Sequence, residues 1–174
     1  MARSRPAPGD LSVEHVRDRL SSYVYGNITV LAAAIAVDPH AIEDGSAVWA
    51  VLGTAVLTYA AHVLSHLVAH GIGADDASDD ARRESFATIA RNANPIATSG
   101  LIPAVLYAVA WAGWIPGTGA QTAALVILVV RIGLVGVFMQ RFSGQKPTFA
   151  ALWGGIALAA VAFVIGLVKV VLTH

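Results

Sequence analysis

Residues 46–70 read SAVWAVLGTAVLTYAAHVLSHLVAH, a run with no Asp, Glu, Lys or Arg. A transmembrane helix needs about 20 predominantly apolar residues, and this stretch supplies them. Five of its polar members, Thr54, Thr58, His62, His66 and His70, fall at every fourth position. Successive members of such a series turn by only about 40° and rise about 6 Å on a helix, so they form one slowly drifting stripe. That stripe must meet other helices or water, because a lipid-facing imidazole is costly.

Outward from this helix, the rest of the chain has the same character. Of 174 residues, 56% are hydrophobic and 13% charged, with a mean hydropathy of +0.67. Globular chains carry about 25% charged residues, which rules against a soluble domain. Apolar spans are expected at about 21–37, 46–70, 95–115, 120–141 and 148–172. The fold class is therefore all-α: a polytopic membrane protein of five transmembrane helices occupying residues 21–172. Residues 1–20 form an N-terminal tail and a short interfacial helix, in which Leu11, Val16 and Leu20 oppose Glu14, Arg17, Asp18 and Arg19.

The breaks are chemical. Asp38-Pro39 ends the first span, since the residue before proline is pushed from helical geometry. GIGADDASDDARRE after the second span is a solvated loop. Ser85–Ala93 reads as a short interfacial helix, the third span starts at Pro95 and kinks at Pro103, and PGTG at 116–119 is a tight turn. SGQKP at 143–147 turns the chain into the last span.

Basic residues in short loops stay on the cytoplasmic side. Arg3, Arg5, Arg17 and Arg19 precede the first span, Arg82, Arg83 and Arg91 follow the second, and Arg141 and Lys146 follow the fourth. The other two loops carry none. The expected location is the cell membrane, multi-pass, with the N-terminus cytoplasmic and the C-terminus outside. A competing reading takes residues 1–36 as a secretory signal cut near Ala34-Ile35-Ala36; Gly26, Asn27 and two tyrosines make a poor signal core.

With 11 basic and 11 acidic residues the net charge is zero, so no global field draws nucleic acid. Absence of cysteine removes disulfides, thiolate metal sites and iron–sulfur ligation. Phosphate-cradling glycine loops and serine nucleophile elbows are missing, and all intramembrane histidines share one helix, against bis-histidine haem binding. An enzyme and a resident cofactor are not expected.

The histidine ladder remains. Neutral imidazole is the commonest metal ligand and titrates near physiological pH, so His62, His66 and His70 suit transition-metal capture, proton relay or both. An adjacent i, i+4 pair can share an ion; all three cannot, so another helix must complete the site. A single such histidine more often bonds neighbouring helices, whereas three in register point to use. Asp75, Asp76, Asp79 and Asp80 just beyond the ladder would concentrate cations, or form an ordinary solvated turn. Asp38, His40, Glu43 and Asp44 at the other end read as a wet loop. Arg131, inside the fourth span without an acid to pair, counts against a simple cation pore.

RFSGQKPTFAALWGGIALAAVAFVIGLV, with Arg141, Gly144, Pro147, Gly155, Phe163, Ile165 and Gly166, resembles the end of the vacuolar iron transporter (VIT) family. NPIATSGLIPAV, with Pro95, Gly100 and Pro103, is similar to that family's Pro-initiated third helix, and YGNITVLAAAIAV to its first. The metal-binding positions are degenerate: Asn27 stands nearest the family's first-helix aspartate, and His62 and His66 replace a Met and Glu pattern. The resemblance implies a homodimer whose first two helices line an ion path. On it, the chain is expected to export a transition-metal cation (Fe, Mn or Zn) from the cytoplasm, with His62, His66, His70, Asn27 and Tyr23 as metal ligands and the Asp loop collecting ions. The alternative is a non-transporting membrane subunit or scaffold whose histidine stripe is structural or pH-sensing.

Overall fold

The computed structural model describes residues 13–71, 79–135 and 149–173. The described residues are helical apart from short connections, without a strand: α1 (Val13–Ile35), α2 (Pro39–Glu43), α3 (Ser46–Gly71), α4 (Asp79–Ser99), α5 (Leu101–Trp111), α6 (Gly117–Gly133) and α7 (Phe149–Thr173). The all-α expectation is met. Two stretches, Ser46–Ala69 and Phe86–Trp111, are long and apolar enough to cross a membrane; Gly117–Gly133 and Trp153–Val164 are shorter apolar helices.

Helix α1 occupies the centre, packed by α3, α4, α6 and α7. Its Val30, Leu31 and Ala34 are fully buried, together with Val51 and Ala55 of α3, Tyr107 of α5, and Ala124, Leu128 and Ile132 of α6. Small residues at the contacts let the helix backbones approach. A Cβ on Gly26 would lie 2.7 Å from the Ile96 Cα of α4, and one on Gly100 would lie 2.9 Å from the Val51 carbonyl oxygen. Gly155 of α7 rests directly on the Gly133 carbonyl of α6, leaving no room for a side chain.

Several boundaries differ from the sequence reading. The interfacial helix and first span are one helix: nothing in VRDRLSSYVY interrupts hydrogen bonding, so α1 runs unbroken from Val13. The wet loop contains a helical turn, α2, with Asp38 as its N-cap and Pro39 in its first turn. Asp38 Oδ1 accepts from the His40 N–H at 2.8 Å, and Gly45 turns the chain at φ 81°, where its bare Cα faces the Trp111 ring.

Pro95 does not start a helix but lies inside α4, which runs from Asp79 to Ser99. The interruption falls at Gly100, one turn before Pro103, because Pro103 has no N–H to give the Ser99 carbonyl. Residues 117–119 form the first turn of α6 behind Pro116 rather than a separate turn. Helix α6 closes at Gly133 with Leu134 as C-cap; the expected end of the fourth span at Arg141 falls among residues 136–148, which lie outside the described part. Gln121 of α6 reaches back to the end of α1, its Nε2 donating to the Val37 carbonyl at 3.0 Å and the Ala34 carbonyl at 3.4 Å.

Candidate functional site

The α3 stripe is built by helical repeat alone. Thr54 spends its hydroxyl on its own helix, donating to the Ala50 carbonyl at 2.8 Å. Two turns further the stripe changes character: the rings of His62 and His66 stand 4.6 Å apart between centroids. The His62 Nε2 lies 3.3 Å from the hydroxyl of Ser22 on α1, and the Tyr25 ring lies 6.3 Å from the His62 ring. Ser22 is itself buried.

Beside the two histidines, α1, α3 and α4 leave a cleft of about 170 Å³. Asp18, Ser21 and Ser22 line it from α1, His62 and His66 from α3, and Ile89 and Asn92 from α4. Six of these seven side chains are polar, whereas a groove between α6 and α7 is apolar and lined by Val129, Val130, Ile156 and Phe163 among others. Tyr59 helps hold the cleft's third wall, its hydroxyl donating to the Ala90 carbonyl of α4 at 3.5 Å.

The other two α1 residues expected at the site face away from the cleft. Tyr23 turns to α6, where Arg131 Nε donates to its phenolic oxygen at 3.3 Å and its hydroxyl lies 3.4 Å from the Arg131 carbonyl. The guanidinium carbon sits 5.4 Å from the ring centroid, a cation–π contact. Asn27 is fully buried; its Nδ2 donates to the Tyr23 carbonyl at 2.7 Å, and its Oδ1 has no hydrogen-bond partner among the described residues. The structure therefore joins His62 with His66 and Tyr23 with Asn27, on different sides of α1.

His70 closes α3, and Asp79 and Asp80 open α4; their side chains, like all of Asp75 and Asp76, lie outside the described residues. In the present side-chain arrangement no three His, Asp or Glu groups converge to metal-holding distance among the described residues. At the opposite end of the bundle the acids cap and pair locally. Asp44 accepts from the Ser46 N–H at 2.8 Å, and hydrogen bonds from the Ser46 side chain and backbone hold its carboxyl below the ordinary value. His40 and Glu43, 3.4 Å apart, are both exposed.

Sequence reasoning missed Asp18, Ser22 and Asn92. The signal was present for the first two: Asp18 and Ser22 are four apart, the same repeat that marks the α3 stripe, and become one face once α1 is read as continuous. Asn92 carried no signal, since its position depends on α4 passing through Pro95. Compared with known proteins, the chain matches no family model, no curated protein and no solved structure.

Proposed function

We propose that this chain is a multi-pass membrane protein that moves a transition-metal cation out of the cytoplasm, in the manner of the VIT family it resembles. The spans in this reading are α1, α3, the α4–α5 pair, α6 and α7. Aromatic placement supports it. Trp49, Trp111 and Trp114 gather at one end of the bundle and Phe149 and Trp153 at the other, with Trp49 74%, Trp114 81% and Phe149 82% exposed. Such rings mark the two faces of a bilayer, and between them Leu57, Leu64, Val105 and Val161 point outward where only lipid would welcome them.

The observation that carries the transport reading is the His62–His66 pair opening onto a polar cleft at the end of the bundle where α1 begins. By the distribution of Arg and Lys this is the cytoplasmic end. Two imidazoles at i, i+4 offer borderline nitrogen ligands to a first-row cation, and the surrounding hydroxyl, amide and carboxylate groups offer oxygen. The homodimer implied by the resemblance belongs to the same proposal.

The test is metal flux into proteoliposomes holding the purified protein, comparing Fe²⁺, Mn²⁺ and Zn²⁺ for wild type and His62→Ala/His66→Ala. Flux that requires the histidines supports the reading; silence with every ion from folded protein refutes it. The Tyr23–Arg131 contact favours the second reading, a non-transporting subunit, because a cation fixed against α1 resists another passing on that side. Under that reading His66→Ala lowers protein abundance with no separable flux defect.

A further inference from the structure

We infer that Asp18, His62 and His66 form a two-histidine, one-carboxylate site for a divalent first-row transition cation at the mouth of the bundle. The inference rests on the cation reading above and changes its ligand set: the α1 ligand is Asp18, not Asn27 or Tyr23.

The argument begins with register. Helices α1 and α3 are joined through short α2 and pack antiparallel, so each step toward the start of α1 matches a step toward the end of α3. Ser22 meets His62. One turn further on each helix, about 6 Å along the axis, brings Asp18 level with His66, and both line the same cleft. The histidine pair supplies two nitrogens from one helix face, and the antiparallel partner supplies the oxygen that a four-residue repeat on α3 lacks.

Electrostatics points the same way. Among the described residues, the cleft lining offers one carboxylate and two imidazoles and contains no Lys or Arg. Arg131, the cation that would oppose a metal, is held by Tyr23 against the α6 side of α1. The cleft volume of about 170 Å³ corresponds to roughly six water volumes at about 30 Å³ each, enough for an ion that keeps some of its water. The Ser22 hydroxyl and Asn92 amide are placed to bond those waters. Two nitrogens and one oxygen with open positions suit Fe²⁺, Mn²⁺ or Zn²⁺ and disfavour Ca²⁺ and Mg²⁺, which want all-oxygen shells. The three side chains line one cleft but do not converge to metal-holding distance in this arrangement, so loading requires them to change rotamer.

The test is equilibrium Zn²⁺ binding to the full chain in detergent micelles, followed calorimetrically, with melting temperature measured on every variant. Asp18→Asn and His66→Gln should each weaken binding at least tenfold without changing the melt, the pair together should lose little more than either alone, and Asp18→Glu should restore binding. Ca²⁺ should not compete. Zn²⁺ binding that needs the histidines but is unchanged in Asp18→Asn overturns this site and leaves the transport reading standing. Binding with the expected three-residue dependence, but no flux in proteoliposomes, sustains the site and sinks transport. No Zn²⁺ binding by folded wild type overturns both.

Discussion

Replacing Gly26 by alanine sets two known quantities against each other at one position. In a helix interior alanine is favoured over glycine by about 0.8–1.0 kcal/mol. Against that, the new Cβ would stand 2.7 Å from the Ile96 Cα, 3.2 Å from Ser99 Oγ and 3.3 Å from Ile96 Cβ. Carbon pairs rest at about 3.5–4.0 Å, so α1 and α4 must separate by about 1 Å, and the obstruction is backbone, which has no rotamer to yield. Overpacking of this kind costs about 1–3 kcal/mol. The net effect is a loss of about 1 kcal/mol. Gly53 supplies the control: nothing lies within 4 Å of a Cβ there, so Gly53→Ala keeps the whole propensity gain of up to about 1 kcal/mol. The two variants should differ by about 2 kcal/mol, or roughly 4–8 °C in a chain this long. Thermal unfolding of the purified protein, followed by tryptophan fluorescence, reads the difference. Gly26→Ala melting with or above Gly53→Ala would refute the α1–α4 contact.

Other perturbations separate the remaining contacts. Tyr23→Phe removes the hydroxyl bonded by Arg131 and should lower stability by about 0.5–1.5 kcal/mol, readable in the same melt; an unchanged melt means the pair does not form. Asn27→Leu removes an orphaned buried oxygen along with one local hydrogen bond, so folded yield should stay level or rise, and a collapse in yield would contradict the placement. Gln121→Ala frees the Ala34 and Val37 carbonyls and should raise amide exchange at the end of α1 and the start of α2 before it changes exchange in α3. The Asp44 carboxyl titrates below its ordinary value, so its support of the α3 start is complete above the unfolded value of about 3.9 and disappears as pH falls through the lower folded value. Asp44→Asn should flatten that acid limb of an unfolding titration, and an unaltered limb would assign it to other carboxylates.

Much of the architecture was legible where physics is local. The uncharged run at 46–70 specified α3 to within a residue, since nothing in it competes with helix. Pro95 misled because proline is unwelcome inside a helix in water, yet α4 accommodates it while the missing donor of Pro103 shifts the visible interruption to Gly100. Likewise the junction at Leu20-Ser21 looked like a boundary because polarity changes there, but polarity does not break hydrogen bonds, and α1 continues. The site was half legible for the same reason. Periodicity on one helix gave His62 and His66; the side chains opposite them depend on how α1 and α4 are rotated, which no single-helix pattern encodes. Asn27 and Tyr23 share the four-residue spacing of Ser22 and Asp18, and only the rotation of α1 turns Tyr23 to α6 and the other pair to the histidine cleft.

The contacts at Gly26, Gly100 and Gly155 also govern which substitutions selection will tolerate. Each position meets backbone or a fixed neighbour across a helix interface, so a larger residue there costs stability whatever the protein's task, whereas Gly53 is free to drift. Descendants that lost the histidines would still keep these three glycines. Invariance there would record the distance between helices, and a search for function by invariance alone would find the frame before the cleft.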